Sequence, residues 1–426
     1  MLPMFAESRP RSIPAKFNWR TTPILMRTAS LLTALALHAR AGQPLLVISV
    51  DGLDQRYLKD CDRLGLKIPH LRRLMRGGQW SEGVAGVVPT ITWPSHTTIV
   101  SGVDPTVHGI RSNRLPAAEG GDYPWSVKLL KARTLLDAAH NAGLKAATVT
   151  WPVTVDAPVQ FNLPEYFERR RGGSMDTRSI ESRSTPRDLV TRIAGMFPSF
   201  RQEWMDDRTR TLAVVFLLKT EKPDLLLVHL VDLDSEQHDN APFSREANAI
   251  LEYTDELVGQ MMDALPKGSA VALVSDHGFE KVEAEVNLNG LAVKAGVTGI
   301  RSLGGLALAD TSAASAFLRQ TSKDAQYGIG RAIPKEELMR FAPQYANSDS
   351  AFEPAPGFMF GGDAAGEIIK KPREIGNHGH WPARYRSVYV MWGRGIPAKR
   401  LPEISLKDIA GRLALVLGVP FTPGPK

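Results

Sequence analysis

The chain has 426 residues, of which 43% are hydrophobic, and a formal net charge of +7. This length suits one large domain with insertions or two domains, and the composition excludes a disordered, collagenous or coiled-coil chain. Most of the excess positive charge lies within residues 1–41, and the remainder carries only about +2, so charge gives no reason to predict nucleic-acid binding.

Residues 1–41 have the pattern of a leader. A short apolar run, Ala29–Leu37, precedes an Ala-Arg-Ala tripeptide that ends at Ala41 and fits a signal-peptidase site. The run is too short to span a bilayer. We therefore predict a signal peptide over 26–41, no transmembrane span, and a periplasmic or secreted protein. The alternative is a disordered tail followed by a buried helix.

Apolar strand-like runs alternate with helical patterns after the leader. The predicted strands are Pro44–Val50, Lys145–Thr150, Asp224–Val231, Ser269–Ser275 and Arg386–Trp392. The predicted helices are Arg133–Ala142, Arg210–Thr220, Ala247–Leu265 and Leu406–Leu417. Continuous apolar runs are typical of strands that are buried on both faces. The alternation predicts an α/β fold with a mostly parallel central sheet and helices on both faces.

Two stretches interrupt this alternation. Residues 168–187 are rich in Arg and Ser, and we predict an exposed loop there. Residues 282–374 have shorter and weaker elements with many Gly, Ala and Pro residues, which indicates an insertion or cap. The predicted organisation is therefore a catalytic core over 42–281, a cap over 282–374, and the closing part of the core over 375–426.

A single cysteine, Cys61, restricts the kinds of metal site. One thiol forms no internal disulfide and no thiolate-clustered zinc site. Any metal ion must therefore be held by histidines and carboxylates.

Acidic residues follow three of the predicted strands: Asp51, Asp232 or Asp234, and the pair Asp276-His277. A single Asp at a strand end is more typical of a turn or helix cap. The carboxyl ends of parallel strands meet at one edge of the sheet, however, and clustered carboxylates repel each other unless a cation lies between them. The three positions together therefore predict a metal site.

Histidines near these acids supply further candidate ligands. Asp234 and His238 are four residues apart, which places them on one face of a helical turn. His378 and His380 lie in a loop flanked by glycines. Each of these histidines, taken alone, is also typical of an ordinary surface residue. The sequence pattern does not distinguish His378 from His380 as the metal ligand.

Thr92 lies where a loop enters a helix. The stretch that begins at Pro89 reads P-T-I-T-W-P-S-H, and Pro94 suits the first turn of a helix. A helix N-terminus offers unpaired N–H groups and a positive dipole end, which favour a phosphate or an alkoxide. The alternative is that Thr92 only caps the helix.

These motifs together resemble the nucleotide pyrophosphatase/phosphodiesterase branch of the alkaline phosphatase superfamily. The nucleophile motif of that family, P-T-x-T-F-P-N-H followed by T-G-x-x-P-x-x-H-G-I, matches PTITWPSH and SGVDPTVHGI here. The resemblance continues through VSDHGF and NHGHWP to the C-terminus and covers nearly all of 44–426, weakly in the insertions. It implies an alkaline phosphatase-like fold with a smaller cap.

The resemblance also implies a catalytic apparatus. Thr92 matches the nucleophile, and Asn113 falls where the family binds the phosphoryl oxygens. Two zinc ions per chain are implied, each with three side-chain ligands. The ligands of the ion that also contacts Thr92 are Asp51, Asp276 and His277. The ligands of the other ion are Asp234, His238 and His378, with Asp232 and His380 as alternatives.

The implied activity is metal-dependent hydrolysis of phosphodiester or phosphoanhydride bonds through a phospho-threonine intermediate. The expected substrate is a small phosphodiester or nucleotide, and no oligomeric state is predicted. Between Thr92 and Arg111 there is no Arg or Lys, which favours diesters over the more highly charged monoesters. The alternatives are a related hydrolase of phosphomonoesters or phosphonates and an inactive metal-binding relative.

Three departures from the family pattern concern the surroundings of the site. Trp93 replaces Phe, Ser95 replaces Asn, and Gln237 stands where a glycine usually precedes His238. The metal ligands are unaffected. The first two changes lie beside Thr92 and leave the preference for nucleotides open.

Overall fold

The computed structural model describes residues 42–169, 175–203 and 205–426, so the predicted leader lies outside the described residues. An eight-stranded sheet forms the centre of this part of the chain. In chain order its strands are β1 Leu45–Val50, β2 Gln79–Ser81, β3 Ala146–Val149, β4 Phe161–Leu163, β5 Leu225–Leu230, β6 Ala270–Val274, β7 Tyr389–Trp392 and β8 Lys399–Leu401. Their order across the sheet is β8-β2-β7-β6-β1-β5-β3-β4.

The sheet is mostly parallel, as predicted. Only β7 runs antiparallel to its two neighbours among these eight strands. In the register of the three central strands, Ser49 of β1 lies opposite His229 of β5 and Val274 of β6. The residues that follow β1, β5 and β6 therefore reach the same edge of the sheet, where the acidic residues lie.

Helices cover both faces of the sheet, which confirms the predicted α/β architecture. Side chains of β1 alternate between two cores, with Leu46, Ile48 and Val50 on one face and Leu45 and Val47 on the other. The helices over the first face are Pro69–Gly77, Leu189–Met196, Asp207–Thr220 and Arg245–Asp263. The helices over the second face are Thr92–Ser101, Leu135–Asn141 and Asp408–Leu417.

Residues 282–374 contain two small sheets, an apolar cluster of their own, and part of a second cluster that also includes Val88 and Trp381. The first sheet has the strands Ile300–Ser302, Ala307–Ala309, Ser350–Pro354 and Ile329–Ala332, and the second has Phe358–Gly361, Ala284–Asn287 and Ile369–Lys370. The helices here are Leu288–Lys294, Ser312–Thr321 and Lys335–Phe341. The division into core and cap stays a prediction.

Shorter elements complete the fold. Two-residue strands pair as Val84–Ala85 with Ile404–Ser405, Glu280–Lys281 with Gly376–Asn377, and Glu168–Arg169 with Met175–Asp176. The remaining α-helices are Gln55–Lys59, Pro105–His108 and Asp232–Asn240. The short 3-10 helices are Ala117–Glu119, Val127–Leu129, Thr177–Arg183, Ala325–Tyr327 and Pro343–Tyr345. Within the described ranges, no helix combines the length and the apolar character that crossing a bilayer requires.

The prediction of an exposed loop over 168–187 is wrong in part. Thr177–Arg183 forms a 3-10 helix, and Ile180 is buried in the core of the first sheet face. Ile180 is flanked on both sides by polar residues and belongs to no periodic apolar pattern, so the sequence did not indicate that it is buried. Residues 170–174 of the predicted loop lie outside the described residues.

Candidate active site

The first candidate ligand group consists of Asp51, Asp276 and His277. Asp51 follows β1 directly, and Asp276-His277 follow β6 after one residue. Nε2 of His277 lies 3.3 Å from Oδ1 of Asp51 and 3.0 Å from Oδ2 of Asp276. Gly52 turns the chain in the left-handed region with φ 67°, and its N–H donates to Oδ1 of Asp276 at 3.2 Å.

This first group fits a divalent cation. Oδ1 of Asp51, Oδ2 of Asp276 and Nε2 of His277 are all buried and have no hydrogen-bond partner among the described residues. Leaving such atoms unpaired is costly, and two carboxylate oxygens with one imidazole nitrogen form a donor set that zinc accepts. Burial, together with the charges of Asp276 and Asp234, raises the pKa of Asp51 well above its usual range. A cation among these atoms would offset that repulsion.

The second candidate group consists of Asp234, His238 and His378. The helix Asp232–Asn240 places the first two four residues apart on one face, with His238 Nε2 3.4 Å from Asp234 Oδ2. His378 reaches the same carboxylate from a different loop, with Nε2 3.8 Å from Oδ1. That Oδ1 atom is buried and lacks a hydrogen-bond partner within the described chain, so this group also fits a cation.

Backbone carbonyls orient both histidines of the second group. Nδ1 of His238 donates to the carbonyl of Gly376 at 3.0 Å, and Nδ1 of His378 donates to the carbonyl of Thr90 at 3.3 Å. Each hydrogen bond leaves Nε2 facing Asp234, as metal-binding histidines require. A Cβ at Gly376 would lie 2.0 Å from the carbonyl oxygen of Gln237, so only glycine permits this approach.

The missing glycine before His238 has a structural explanation. Gln237 is fully buried, and its side chain donates to the carbonyl of Gly52 at 3.0 Å and bonds with the Tyr57 hydroxyl at 3.1 Å. It therefore ties the helix of the second group to the turn of the first.

The two alternative ligands lie outside both groups. Oδ2 of Asp232 accepts from the backbone N–H of Asp207 at 3.1 Å. His380 is buried beside Tyr385, and burial, with Arg384 and Arg56 nearby, lowers its pKa to about 3. The structure thus brings Asp234 and His378, rather than these two residues, toward the other candidate ligands.

Thr92 is the first residue of the helix Thr92–Ser101 and is 7% exposed. The loop before it touches the second group, because the Thr90 carbonyl accepts from His378. The carbonyl of Thr92 itself accepts from Nδ1 of His96 at 2.9 Å, and the same nitrogen lies 3.6 Å from Oδ2 of Asp276. The backbone around Thr92 is therefore tied to His378 of the second group directly and to Asp276 of the first group through His96.

Asn113 lies beside Thr92. Its Oδ1 accepts from the backbone N–H of Trp93 at 3.0 Å, so its NH2 group remains as a donor. Because the Trp93 N–H is bonded to Asn113 and Pro94 has no N–H, this NH2 group and the positive end of the helix dipole are the features that suit an anion next to Thr92.

A group of aromatic rings adjoins Trp93. Tyr123 lies 4.6 Å and Trp125 6.0 Å from Trp93, measured between ring centroids. Phe167 packs against both, at 5.1 Å from Tyr123 and 4.7 Å from Trp125, and Tyr166 lies 5.3 Å from Trp125. We call these five residues the aromatic cluster. The substitution of Phe by Trp93 thus enlarges this cluster, in which the Trp93 ring itself is only 6% exposed. The hydroxyl of Ser95 is buried and has no hydrogen-bond partner among the described residues, and nothing in the structure explains its replacement of Asn.

Sequence reasoning missed two buried histidines at this site. His96 connects Thr92 with Asp276, and its Nε2 accepts from the Ser49 hydroxyl at 2.9 Å. Burial and the nearby His229 lower the pKa of His96 to about 3, so it stays neutral. His229 places Nε2 2.8 Å from Oδ2 of Asp51. His229 is the one polar residue in the apolar strand LLLVHL, and this exception was the sequence signal that could have identified it.

Comparison with known proteins identifies related sequences. The family described as Type I phosphodiesterase / nucleotide pyrophosphatase matches residues 45–347. Human ectonucleotide pyrophosphatase/phosphodiesterase family member 1 is 27% identical over 254 residues, which are 56% of this chain and 24% of that protein. Venom phosphodiesterase 2 of Crotalus adamanteus is 25% identical over 266 residues, which are 57% of this chain and 27% of that protein. The match thus spans about a quarter of the length of these relatives.

Solved structures share the fold. Human ectonucleotide pyrophosphatase/phosphodiesterase 5 superposes with a TM-score of 0.63 at 17% identity, covering 90% of this chain and 96% of that one. The murine protein, as an inactive threonine-to-alanine variant in complex with AMP, gives a TM-score of 0.61 at 17% identity, with coverage of 90% and 96%. At this identity the likeness shows the alkaline phosphatase-like fold alone.

Proposed function

Since the chain belongs to the type I phosphodiesterase / nucleotide pyrophosphatase family, we propose that it hydrolyses phosphodiester or phosphoanhydride bonds in a metal-dependent reaction that uses Thr92 as nucleophile. The observation that carries this proposal is the position of Thr92. It begins a helix, and its loop contacts His378 of one ligand group and, through His96, Asp276 of the other.

Two zinc ions per chain are the proposed cofactors. Asp51, Asp276 and His277 would hold one ion and Asp234, His238 and His378 the other, because the atoms within each group lie within 4.8 Å of one another. When bound, zinc supplies positive charge that lowers the pKa of a hydroxyl and stabilises negative charge on reacting oxygens.

The residues of the chain account for the remaining chemistry. The hydroxyl oxygen of Thr92 attacks phosphorus as it loses its proton, and the bond to the leaving oxygen breaks. This gives a phospho-threonine, and the leaving oxygen takes up a proton where the product is an alcohol. Hydrolysis of the phospho-threonine then releases the phosphate product and restores the hydroxyl. The NH2 group of Asn113 donates to the non-bridging oxygens, where charge accumulates, and the positive end of the helix dipole adds to this stabilisation.

A small nucleotide or nucleoside-containing diester is the proposed substrate class. The aromatic cluster begins at the residue after Thr92, and aromatic faces stack on nucleobases without demanding one base. The AMP in the complex of the murine relative supports this choice. Arg114 lies 4.7 Å above the Tyr123 ring and donates to the Gly121 carbonyl, which supports a preference for diesters because this cation has other partners.

A panel of nitrophenyl esters tests the proposal. Thymidine 5′-(nitrophenyl phosphate) and bis(nitrophenyl) phosphate represent diesters, and nitrophenyl phosphate and nitrophenyl phenylphosphonate represent the other classes. We expect turnover of the diesters with zinc and none after chelation. Faster turnover of the monoester or phosphonate would assign the chain to a related hydrolase. Zinc binding without turnover of any ester would indicate an inactive relative.

We also propose that the protein acts outside the cytoplasm. The pattern of residues 26–41 supports export, and two relatives from Crotalus adamanteus carry the name venom phosphodiesterase. Mass spectrometry of the protein from the periplasm or medium tests this, with an N-terminus at Gly42 as the expected result. A protein that retains residues 26–41 in the cytoplasm would contradict it.

A further inference from the structure

His229 has an unusual position for an imidazole. It lies in the central strand β5, where every other residue is Leu or Val, and it is 1% exposed. Burying a polar ring in the middle of a sheet is unfavourable unless its nitrogens find partners. Both ring nitrogens of His229 do find partners, and one of these is a candidate metal ligand.

The two oxygens of Asp51 are used differently. Oδ2 lies 2.8 Å from Nε2 of His229, whereas Oδ1 lies 3.3 Å from His277 and has no hydrogen-bond partner among the residues described. Because Oδ2 of Asp51 is paired with His229, the carboxylate is held with Oδ1 facing His277 of the same ligand group. Partners of this kind orient metal-binding carboxylates and raise their affinity for the ion.

Thr150 fixes the ring of His229 from the opposite side. Nδ1 of His229 donates to the carbonyl of Thr150 at 3.2 Å, and the Thr150 hydroxyl donates back to the carbonyl of His229 at 3.0 Å. Thr150 has φ 47°, in the left-handed region that a β-branched residue rarely adopts. A strained backbone conformation of this kind persists only where the surrounding structure enforces it. At Thr150 it directs the backbone carbonyl toward Nδ1 of His229.

Two buried charges lie behind His229. Oε2 of Glu165 is 3.5 Å from Nδ1 of His229, and Arg210 approaches the same oxygen to 3.7 Å. Arg210 in turn lies 3.5 Å from Asp207. Glu165 and Arg210 are 9% and 4% exposed, so water screens their charges little. The Thr150 carbonyl and the carboxylates of Glu165 and Asp51 are all hydrogen-bond acceptors, so this arrangement requires an N–H on each ring nitrogen of His229. The negative charge of Glu165 complements the N–H on Nδ1, and the N–H on Nε2 holds Asp51.

We propose that His229, supported by Glu165, is a positioning residue that orients Asp51 and selectively raises the zinc affinity of the first ligand group. This inference rests on the proposed function for the identity of the first group as a metal site. A merely structural role for His229 would instead affect both groups through the stability of the sheet.

Zinc titration of the metal-free chain by calorimetry tests this inference in two backgrounds. Asp234→Ala leaves the first group, and Asp51→Ala leaves the second. In the Asp234→Ala background, we expect His229→Phe to weaken zinc binding by about 10- to 100-fold. In the Asp51→Ala background, the same change should leave zinc affinity unchanged, because the partner of His229 is already absent.

Matched variants separate positioning from packing. His229→Gln retains a side-chain donor and should recover part of the affinity. His229→Leu, which also lacks a donor, replaces His229→Phe if that variant does not fold. His108→Phe is the control, since this buried histidine contacts Thr98 and Ile110 instead of a candidate ligand. It should leave zinc affinity unchanged in both backgrounds.

The possible outcomes distinguish the inference from the proposed function. Equal weakening in both backgrounds, or no weakening in either, would overturn the role of His229. A wild-type chain that binds no zinc would overturn both proposals. Selective weakening in a chain that binds zinc but hydrolyses no phosphate ester would support the positioning role and remove only the proposed function.

Discussion

The imidazole rings of His277 and His378 stack face to face, with centroids 3.8 Å apart and planes inclined by 13°. The two residues belong to different ligand groups, so the stacked rings bring the two groups into direct contact. Burial, with His277 and His238 nearby, lowers the pKa of His378 well below its usual range. His378 therefore remains neutral near pH 7, which is the form in which imidazole binds a metal.

Removal of one carboxylate should empty one group and leave the other occupied. For Asp234→Ala we expect about one zinc per chain, compared with about two in the wild type, because each group has its own carboxylate ligands. Metal content after dialysis, measured by atomic emission, checks this. Asp232→Asn is the control, since this residue two positions away contacts the backbone of Asp207. Loss of both ions in Asp234→Ala would contradict independent groups.

Loss of the Thr92 hydroxyl should abolish turnover. We expect Thr92→Ala to lower kcat for a nitrophenyl nucleoside diester by at least about 10³-fold, because no other group replaces the nucleophile. Both zinc ions should remain, since six other side chains are the proposed ligands. Thr97→Ala removes a hydroxyl from the same helix that bonds to the Trp93 carbonyl, and this control should stay active. A Thr92→Ala variant of near wild-type activity would exclude Thr92 as nucleophile.

The centre of the sheet could be predicted because its strands are buried on both faces. β1, β5 and β6 are continuous apolar runs, and the acids after them lie at one edge. β2, β4 and β8 were missed because each has only three residues and lies toward an edge of the sheet, where no long apolar run is needed. Short strands of this kind depend on pairing with distant segments, which local patterns do not contain.

The candidate ligands were predictable from motifs, whereas their supporting residues were not. Asp51 and His229 are 178 positions apart, and their contact depends on the register between β1 and β5. The contact of His96 with the Thr92 carbonyl is local, at four residues, but a histidine in a helix is usually not a functional residue. The motifs and their spacing in the sequence therefore predicted which candidate ligands lie together. The residues that orient those ligands, His229 and His96, could be identified only from the fold.

The aromatic cluster should contribute to nucleoside recognition. Tyr123→Ala removes a ring 4.6 Å from Trp93, and we expect kcat/KM for thymidine 5′-(nitrophenyl phosphate) to fall by about 5- to 100-fold, as loss of base stacking predicts. The value for methyl nitrophenyl phosphate, which has no base, should change by less than about threefold. Tyr123→Phe keeps the ring and is the control. Equal losses on both substrates would place the effect of Tyr123 at the reacting centre instead.

His108 should make the protein sensitive to acid. Its ring is fully buried, and burial lowers its pKa from 6.5 to about 3. Between these values the unfolded chain binds a proton that the folded chain does not, so the free energy of unfolding falls as pH decreases below about 6.5. The contribution of this one group between pH 7 and pH 5 is about 2 kcal/mol. Urea unfolding with chelator at both pH values measures it.

The variant His108→Gln isolates this contribution. It should be less stable than the wild type at pH 7, because Gln does not reproduce the bonds to Thr98 and the Ile110 N–H. The difference should narrow by about 2 kcal/mol at pH 5, because glutamine takes up no proton on unfolding. His140→Gln is the control, since this exposed residue lies near a helix end and should leave the pH dependence almost unchanged. A constant difference between His108→Gln and the wild type at the two pH values would mean that burial of His108 does not cause the acid sensitivity.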